Sequence, residues 1–464
     1  MAASLLERIY ESLSSWGEHP VYIEYRSGDT RSLSAYEVRE RIAEASRLLE
    51  SWGIRQGHLV FLFLNSTADV PILFFALHRL GAIPVPLSRD YRSLELDEIF
   101  SNAQPQAVIC EREHLAIISR YLEGKTVIER SLGRLNLLRQ PARVPDSAEI
   151  DADIAAILYT YRGYGFPLGA MIPYRQLLHG AEVYQQGLQG EAGERMLVIL
   201  PPYHIFTIVG CFLVPLLNSM TAVISDTINP RTLFELIEAQ QITTITAIPE
   251  LYALFLRLHD IAGSFRSVKI FGSGGSHLPA DLYRGLLSMF NVEILHGYGL
   301  TEFTPVSCNM RNRPRPGTIG PICYGVECRI LEPDPSGIGE IGIRCDSLFR
   351  GYYRRQKQTA EAFQNGWFLT GDLGRMEQGH LVFEREKKKT RKVNGKMVDL
   401  VEVREGLMRC PNVQEAEVLW QDQALAARVR IESGVLDRDR ALAIKKRLNS
   451  LMAAYKVPKV ITGY

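Results

Sequence analysis

Apolar positions spaced three and four apart predict an amphipathic helix over residues 5–16. A second, longer periodic segment runs to Trp52, with Ser34 placed to cap its start. Residues 58–64 form an unbroken apolar run of strand length, followed by Asn65 and a helix through Leu80. Residues 83–87 and 107–110 predict further short strands, with Pro84 and Pro86 weakening the first. The alternation resumes at residue 196. Strands are predicted over 196–200, 221–225, 243–248, 268–271 and 293–295. Helices are predicted over 206–217, 230–240 and 250–258. After Gly317 the segments turn short and alternating (327–331, 340–344, 380–383), as expected of a small β subdomain. The charge run 384–389 marks a boundary, and beyond it helices are predicted over 401–409 and 438–454. Strands alternating with helices predict an α/β fold.

Composition narrows the class. With 46% hydrophobic and 23% charged residues, the 464-residue chain is globular and long enough for more than one domain. A formal net charge of +1 gives no overall field favouring nucleic acid. The seven cysteines are scattered, without metal-ligand spacing, which suits a reducing compartment. Residues 70–83 are interrupted by His78 and Arg79, and residues 205–223 by Pro215 and Asn218, so neither reads as a membrane span. No secretory leader is legible, and the expected location is cytoplasmic.

The chemistry concentrates in Tyr-Thr-Tyr-Arg-Gly-Tyr-Gly-Phe-Pro-Leu-Gly-Ala-Met, residues 159–171. It follows an apolar run and precedes a helical pattern, so a strand, a Gly-rich turn and a helix are expected. Backbone amides of such a turn can cradle phosphate, with a Lys and hydroxyls completing the site. Here the glycines are present and the Lys is not.

Several further segments stand in a telling order: Ser273-Gly274-Gly275-Ser276, Tyr298-Gly299-Leu300-Thr301-Glu302, Gly351-Tyr352-Tyr353, Trp367-Phe368-Leu369-Thr370-Gly371-Asp372-Leu373-Gly374, and Lys392-Val393-Asn394-Gly395-Lys396. Together with the loop they resemble the adenylate-forming superfamily of acyl- and aryl-CoA synthetases, peptide-synthetase adenylation domains and luciferases. The resemblance covers nearly the whole chain. It implies a large N-terminal domain (1–384) of two α/β sheets plus a β subdomain. A hinge at 385–389 and a small, mobile α+β C-terminal domain (390–464) would follow.

The implied reaction has two halves. A fatty or aryl carboxylic acid reacts with ATP to give acyl-AMP, and a thiol of CoA or carrier-protein pantetheine then displaces AMP. The small domain rotates between the halves. The resemblance makes Glu302 the Mg²⁺ ligand and Thr301 a phosphate-contacting hydroxyl. It places Thr160, Gly165, Gly169, Gly275, Ser276, Tyr298 and Gly299 around the nucleotide. Asp372 would take both ribose hydroxyls, two acceptor oxygens facing two adjacent donors. His204 and Lys392 are implied near the reacting groups, and Lys388 at the hinge. Phe206, Ile208, Val209 and Tyr324 are candidate walls of the acyl pocket.

Most of the departures fall on one half-reaction. Against Y-T-S-G-T-T-G-x-P-K-G, Tyr161 replaces Ser, Arg162 replaces Gly, Gly163 and Tyr164 replace the two Thr, and Leu168 replaces Lys. Glu386 falls where a ribose-binding Arg is usual. The sequence ends at Tyr464, before the segment that carries the family's adenylating Lys. Losing one preorganised donor costs ~10²–10³ in rate, so several losses predict adenylation slowed by about 10⁴ or more. Three readings remain open: a thioester-forming ligase with weak or lost adenylation, a non-catalytic acyl, CoA or AMP binder that pairs with a paralogue or itself, and a transferase using preformed acyl-AMP or an acyl thioester.

Overall fold

The computed structural model describes residues 2–26, 28–122, 128–132, 135–139, 150–258, 265–387, 390–421, 424–432 and 435–464. Two sheets organise the large N-terminal part. The first has eight strands in the order Phe303–Cys308, Glu293–Leu300, Ile270–Ser273, Thr244–Ala247, Arg195–Val198, Thr221–Ser225, Tyr22–Arg26, Asp29–Leu33. Its inner pairs are parallel and joined through helices, as the strand–helix alternation predicts. The hairpin Tyr22–Arg26 and Asp29–Leu33 is an addition that the sequence pattern does not signal: the second strand is exposed at all but its last residue. The other sheet has five strands, with Leu59–Phe63 at 0–2% exposure between Ile83–Pro86 and Ala107–Glu111.

A β subdomain built on Trp367–Glu377 and His380–Glu386 follows. The C-terminal unit has a three-stranded sheet, Val413–Gln421, Ala424–Ile431 and Val460–Gly463. Helices Leu400–Met408 and Arg438–Leu451 pack with it around their own apolar core of Val398, Val403, Leu407, Leu425, Leu448 and Met452.

Local chemistry accounts for several element ends. Ser34 caps the helix Ala35–Ser51 and closes a capping box with Glu37. Asp399 caps Leu400–Met408 through the amides of Val401 and Glu402. Asn394 and Gly395, at φ 49° and 73°, make the two-residue turn of the hairpin Thr390–Val393 and Lys396–Asp399. An Asn-Gly pair is the residue choice such a turn demands.

The Gly-rich loop differs from the expected strand, turn and helix. Ile154–Thr160 and Leu168–Pro173 pair antiparallel, with Thr160 opposite Leu168, and the helix Tyr174–Leu188 begins only after this hairpin. The alternation of apolar residues from 168 to 172 is the strand signal, with Leu168, Ala170 and Ile172 all fully buried. The buried helix expected over 206–217 also differs. Thr207–Leu213 is a π-helix that continues as Val214–Leu217.

Candidate functional site

A cavity of about 240 Å³ opens between the large domain and the C-terminal unit. Its lower wall comes from the π-helix. Phe206, Gly210 and Val214 all face the cavity, because the wide turn keeps residues four apart on one side. Such turns recur at functional sites. Gly210 lets the Phe206 ring close over it, since a Cβ there would sit a tight 3.2 Å from that ring. Tyr184, Leu188 and Cys308 complete this end, and the Tyr184 hydroxyl is 2.9 Å from Thr304 Oγ1.

The other end is polar. Asp372, Thr160, Thr301, Glu302 and Gly275 line it, and Asp372 is bridged by the Tyr298 hydroxyl at 2.7 Å. Tyr298 is itself buried, tucked beside Phe383 behind the wall. Ser276 Oγ is buried with no partner among the described residues, but Ser276 does not line the cavity. Glu386 also lines the cavity, opposite Asp372 across paired strands.

The mouth is made by Tyr91, Tyr203 and His204 from the large domain, with Lys392, the tip 394–397 and Tyr455 from the C-terminal unit. The tip is tightly seated: a Cβ on Gly395 would lie 2.8 Å from Ile248 Cγ2. Burial, reinforced by Lys396 and Lys392, pushes the His204 imidazole down to about 4, so it is neutral at pH 7.

The phosphate-type loop is occupied by the protein's own groups. Arg162 Nη1 lies 3.4 Å from Glu302 Oε1 and 3.2 Å from the Tyr352 hydroxyl, while Nη2 donates to the Leu369 carbonyl at 2.6 Å. The guanidinium also stacks over the Phe368 ring. Tyr352 donates to the same Glu302 oxygen at 2.5 Å. Burial opposes the Arg162 charge, but Tyr352 and Glu302 outweigh it. Both contacts fall on Glu302 Oε1, so a divalent cation would have to use Oε2 beside a buried guanidinium, a poor fit to Mg²⁺. Among the described residues, only Glu111, Glu113 and His114 offer three converging ligand atoms, and none of them lines the cavity.

Gly163 and Gly165, at φ 87° and 85°, turn their amides outward as a phosphate loop would. They donate to the carboxylate of Asp399, Gly165 at 3.1 Å. Tyr161 reaches the C-terminal unit too. Its hydroxyl donates to Glu402 Oε1 at 2.8 Å and accepts from Lys456 Nζ at 2.8 Å. Lys456, at 0% exposure, also meets Glu402 Oε2 at 2.6 Å and Glu95 Oε1 at 2.8 Å. Burial works against its ammonium, and the two carboxylates outweigh that.

Of the residues singled out in the sequence, the structure gathers Thr160, His204, Phe206, Gly275, Gly299, Thr301, Glu302, Asp372 and Lys392 around one cavity. Gly165 and Gly169 lie in the loop hairpin behind it, Gly169 tight against Ile157. Val209 and Ile208 are not pocket walls: both are core, and Val209 packs on Gly180. Tyr324 is 78% exposed, away from the lining, because its backbone carbonyl is what the fold uses, accepting from His179. Lys388 lies outside the described residues. Sequence reasoning missed Tyr184, Cys308, Asp399 and Lys456. Only Lys456 left a trace, a lone Lys among apolar and aromatic residues.

The model of the family described as AMP-binding enzyme matches residues 10–353. The chain belongs to that family. Among curated AMP-binding relatives, a feruloyl-CoA synthase of Amycolatopsis sp is 27% identical, over 94% of this chain and 90% of the relative. A long-chain-fatty-acid–CoA ligase of Escherichia coli O157:H7 is 24% identical, over 99% and 90%. A solved malonyl-CoA ligase with methylmalonyl-CoA and AMP bound superposes with a TM-score of 0.82 at 23% identity, covering 98% of this chain and 99% of that one. An amide bond synthetase from Marinactinospora thermotolerans superposes at 0.80 and 19% identity, covering 98% and 95%. The adenylate-forming fold expected from the motifs is thus the fold present. No helix among the described residues is long and apolar enough to cross a membrane.

Proposed function

We propose that this AMP-binding protein makes or breaks acyl thioesters at the acyl-adenylate level, with its own ATP-dependent adenylation weak or lost. The observation that carries this reading is the guanidinium of Arg162 lying on Glu302, with Asp399 on the loop amides. Both features remove groups needed to neutralise a triphosphate. The adenosine side keeps its acceptor Asp372.

In the forward direction a thiol, of CoA or of a carrier's pantetheine, attacks the carbonyl carbon of acyl-AMP. The C–S bond forms as the S–H bond releases its proton to water, the C–O bond to the phosphate breaks, and AMP leaves with its oxygen. Neutral His204 at the mouth accepts a hydrogen bond from the incoming thiol. The acid is an uncharged fatty or aryl one, since Tyr184, Leu188, Phe206, Val214 and Cys308 bring no charge to their end of the cavity.

The test supplies synthetic fatty-acyl- and aryl-AMP with CoA or a pantetheinylated carrier and follows thioester by chromatography, beside ATP–pyrophosphate exchange over the same acids. Thioester formation is expected with exchange below ~10⁻³ s⁻¹, several orders under an ordinary enzyme rate. Robust exchange would overturn the loss of adenylation. Binding of AMP without any thioester would instead favour the non-catalytic binder.

A further inference from the structure

We infer that Tyr161, Asp399 and Lys456 are positioning residues, and that the remodelled loop has become the fixed seat of the C-terminal unit, holding the hairpin tip 394–397 in the cavity mouth throughout turnover. The inference rests on the thioester-level reading above and departs from the rotation that the family resemblance implies.

Three sets of contacts make the seat. The first is chemical mimicry: a buried carboxylate, Asp399, takes the outward-turned amides where a phosphate oxygen would sit. The same carboxylate caps Leu400–Met408, so the helix and the hairpin ending at Asp399 are fixed together. The second is Tyr161, placed where a short hydroxyl residue is usual in the family. It reaches across to Glu402 and Lys456, which a serine could not do. The third is Glu95 of the large domain, which receives Lys456 Nζ and the amide of Ala453, each at 2.8–3.0 Å. Lys396 adds an ion pair with Asp90.

Buried charges of this kind contribute more to orientation than to net stability, since any other arrangement would leave them dry and unpaired. Val401 against Gly165 fills the remaining space, within 2.9 Å of where a Cβ would lie. A ligand can move a two-state equilibrium only through its differential affinity for the two states. With Arg162 on Glu302 and Leu168 in place of a Lys, a nucleoside triphosphate has little with which to favour an undocked or rotated unit.

The experiment measures the distance between spin labels on ketone-bearing residues introduced at Ile228 and Leu442, both exposed and outside every contact described. The expected result is one narrow distribution, unchanged by AMP, by ATP with Mg²⁺ and by a non-hydrolysable acyl-AMP analogue. A second population above about a tenth, with any of these, overturns the inference. Asp399→Ala is expected to broaden the distribution and lower kcat for thioester formation about 10–100-fold with KM for acyl-AMP unchanged. Asp399→Asn keeps the cap through its one oxygen but sets its NH2 against the Gly165 amide, so it is expected to broaden the distribution and lower kcat much as Asp399→Ala does. A narrow distribution in Asp399→Asn, or a raised KM with full kcat, would show that Asp399 does not act by positioning. The distance measurement needs no activity, so it decides the seat even where the thioester assay fails.

Discussion

Arg162, standing where the resemblance places Gly, is a cation already engaged within the protein. Its guanidinium is spent on Glu302, Tyr352 and Leu369. Restoring only the loop Lys should therefore not restore adenylation. Leu168→Lys is expected to leave ATP–pyrophosphate exchange at the level of the parent protein. Arg162→Gly combined with Leu168→Lys, which also frees Glu302, should raise it at least ~10-fold, by returning one donor and one metal ligand. No rise in the double variant would mean that the block lies elsewhere, with Asp399 the first suspect. On the adenosine side, Asp372→Ala removes a buried charged acceptor. Hydrogen bonds to charged groups contribute about 1.5–3 kcal/mol, so AMP affinity measured by calorimetry should fall roughly 10–150-fold. Unaltered affinity would take Asp372 out of the nucleotide site and leave it as a partner for Tyr298 alone.

At the scale of elements, the helix Tyr174–Leu188 and the strand Phe303–Cys308 show how tightly the acyl wall is set. A Cβ on Gly180 would meet the Thr304 carbonyl at 2.6 Å and Val209 Cγ1 at 3.0 Å. Thr304 also holds the Tyr184 hydroxyl. Gly180→Ala should therefore lower stability by ~1–3 kcal/mol in urea unfolding, the usual cost of overpacking. It should also displace Tyr184 and lower acyl selectivity between long and short acids. The π-helix beside it was legible only as an apolar run. The switch from one hydrogen-bond period to another depends on what packs outside, here Tyr184 and Phe206 closing on Gly210. The loop hairpin was misread for a related reason. Glycines signal a turn but do not say whether a strand or a helix follows it.

At the scale of the molecule, among the described residues burial pushes the imidazoles of His78, His204 and His296 each down to about 4, and holds that of His114 below its usual value as well. His78 donates through Nε2 to the Ala155 carbonyl, which leaves Nδ1 buried without a partner and unable to accept a proton cheaply. For a base whose folded pKa lies below its unfolded value of ~6.5, stability is present above pH 6.5 and lost as pH falls towards 4. The fully buried His78 and His296 should each cost on the order of 2–4 kcal/mol at pH 4. Urea midpoints at pH 7.5, 6 and 4.5 should fall in that order. A midpoint unchanged down to pH 4.5 would mean that neither imidazole stays dry in the folded state.

Periodicity and local capping residues by themselves determined the α/β alternation and the capped helix at Ser34, because each is written in residues close along the chain. The ordered motifs pointed to the family and to Asp372, Glu302 and His204 as parts of one site. What the loop does was decided only by the tertiary structure. Arg162 meets Glu302 from 140 residues away, Gly165 meets Asp399 from 234, and Tyr161 meets Lys456 from 295. The substitutions in the loop read as losses when set against a motif. They become contacts only when the fold brings Asp399 to Gly165, Glu302 to Arg162 and Lys456 to Tyr161, since a charge can be satisfied only by whatever the fold places within a few ångström of it.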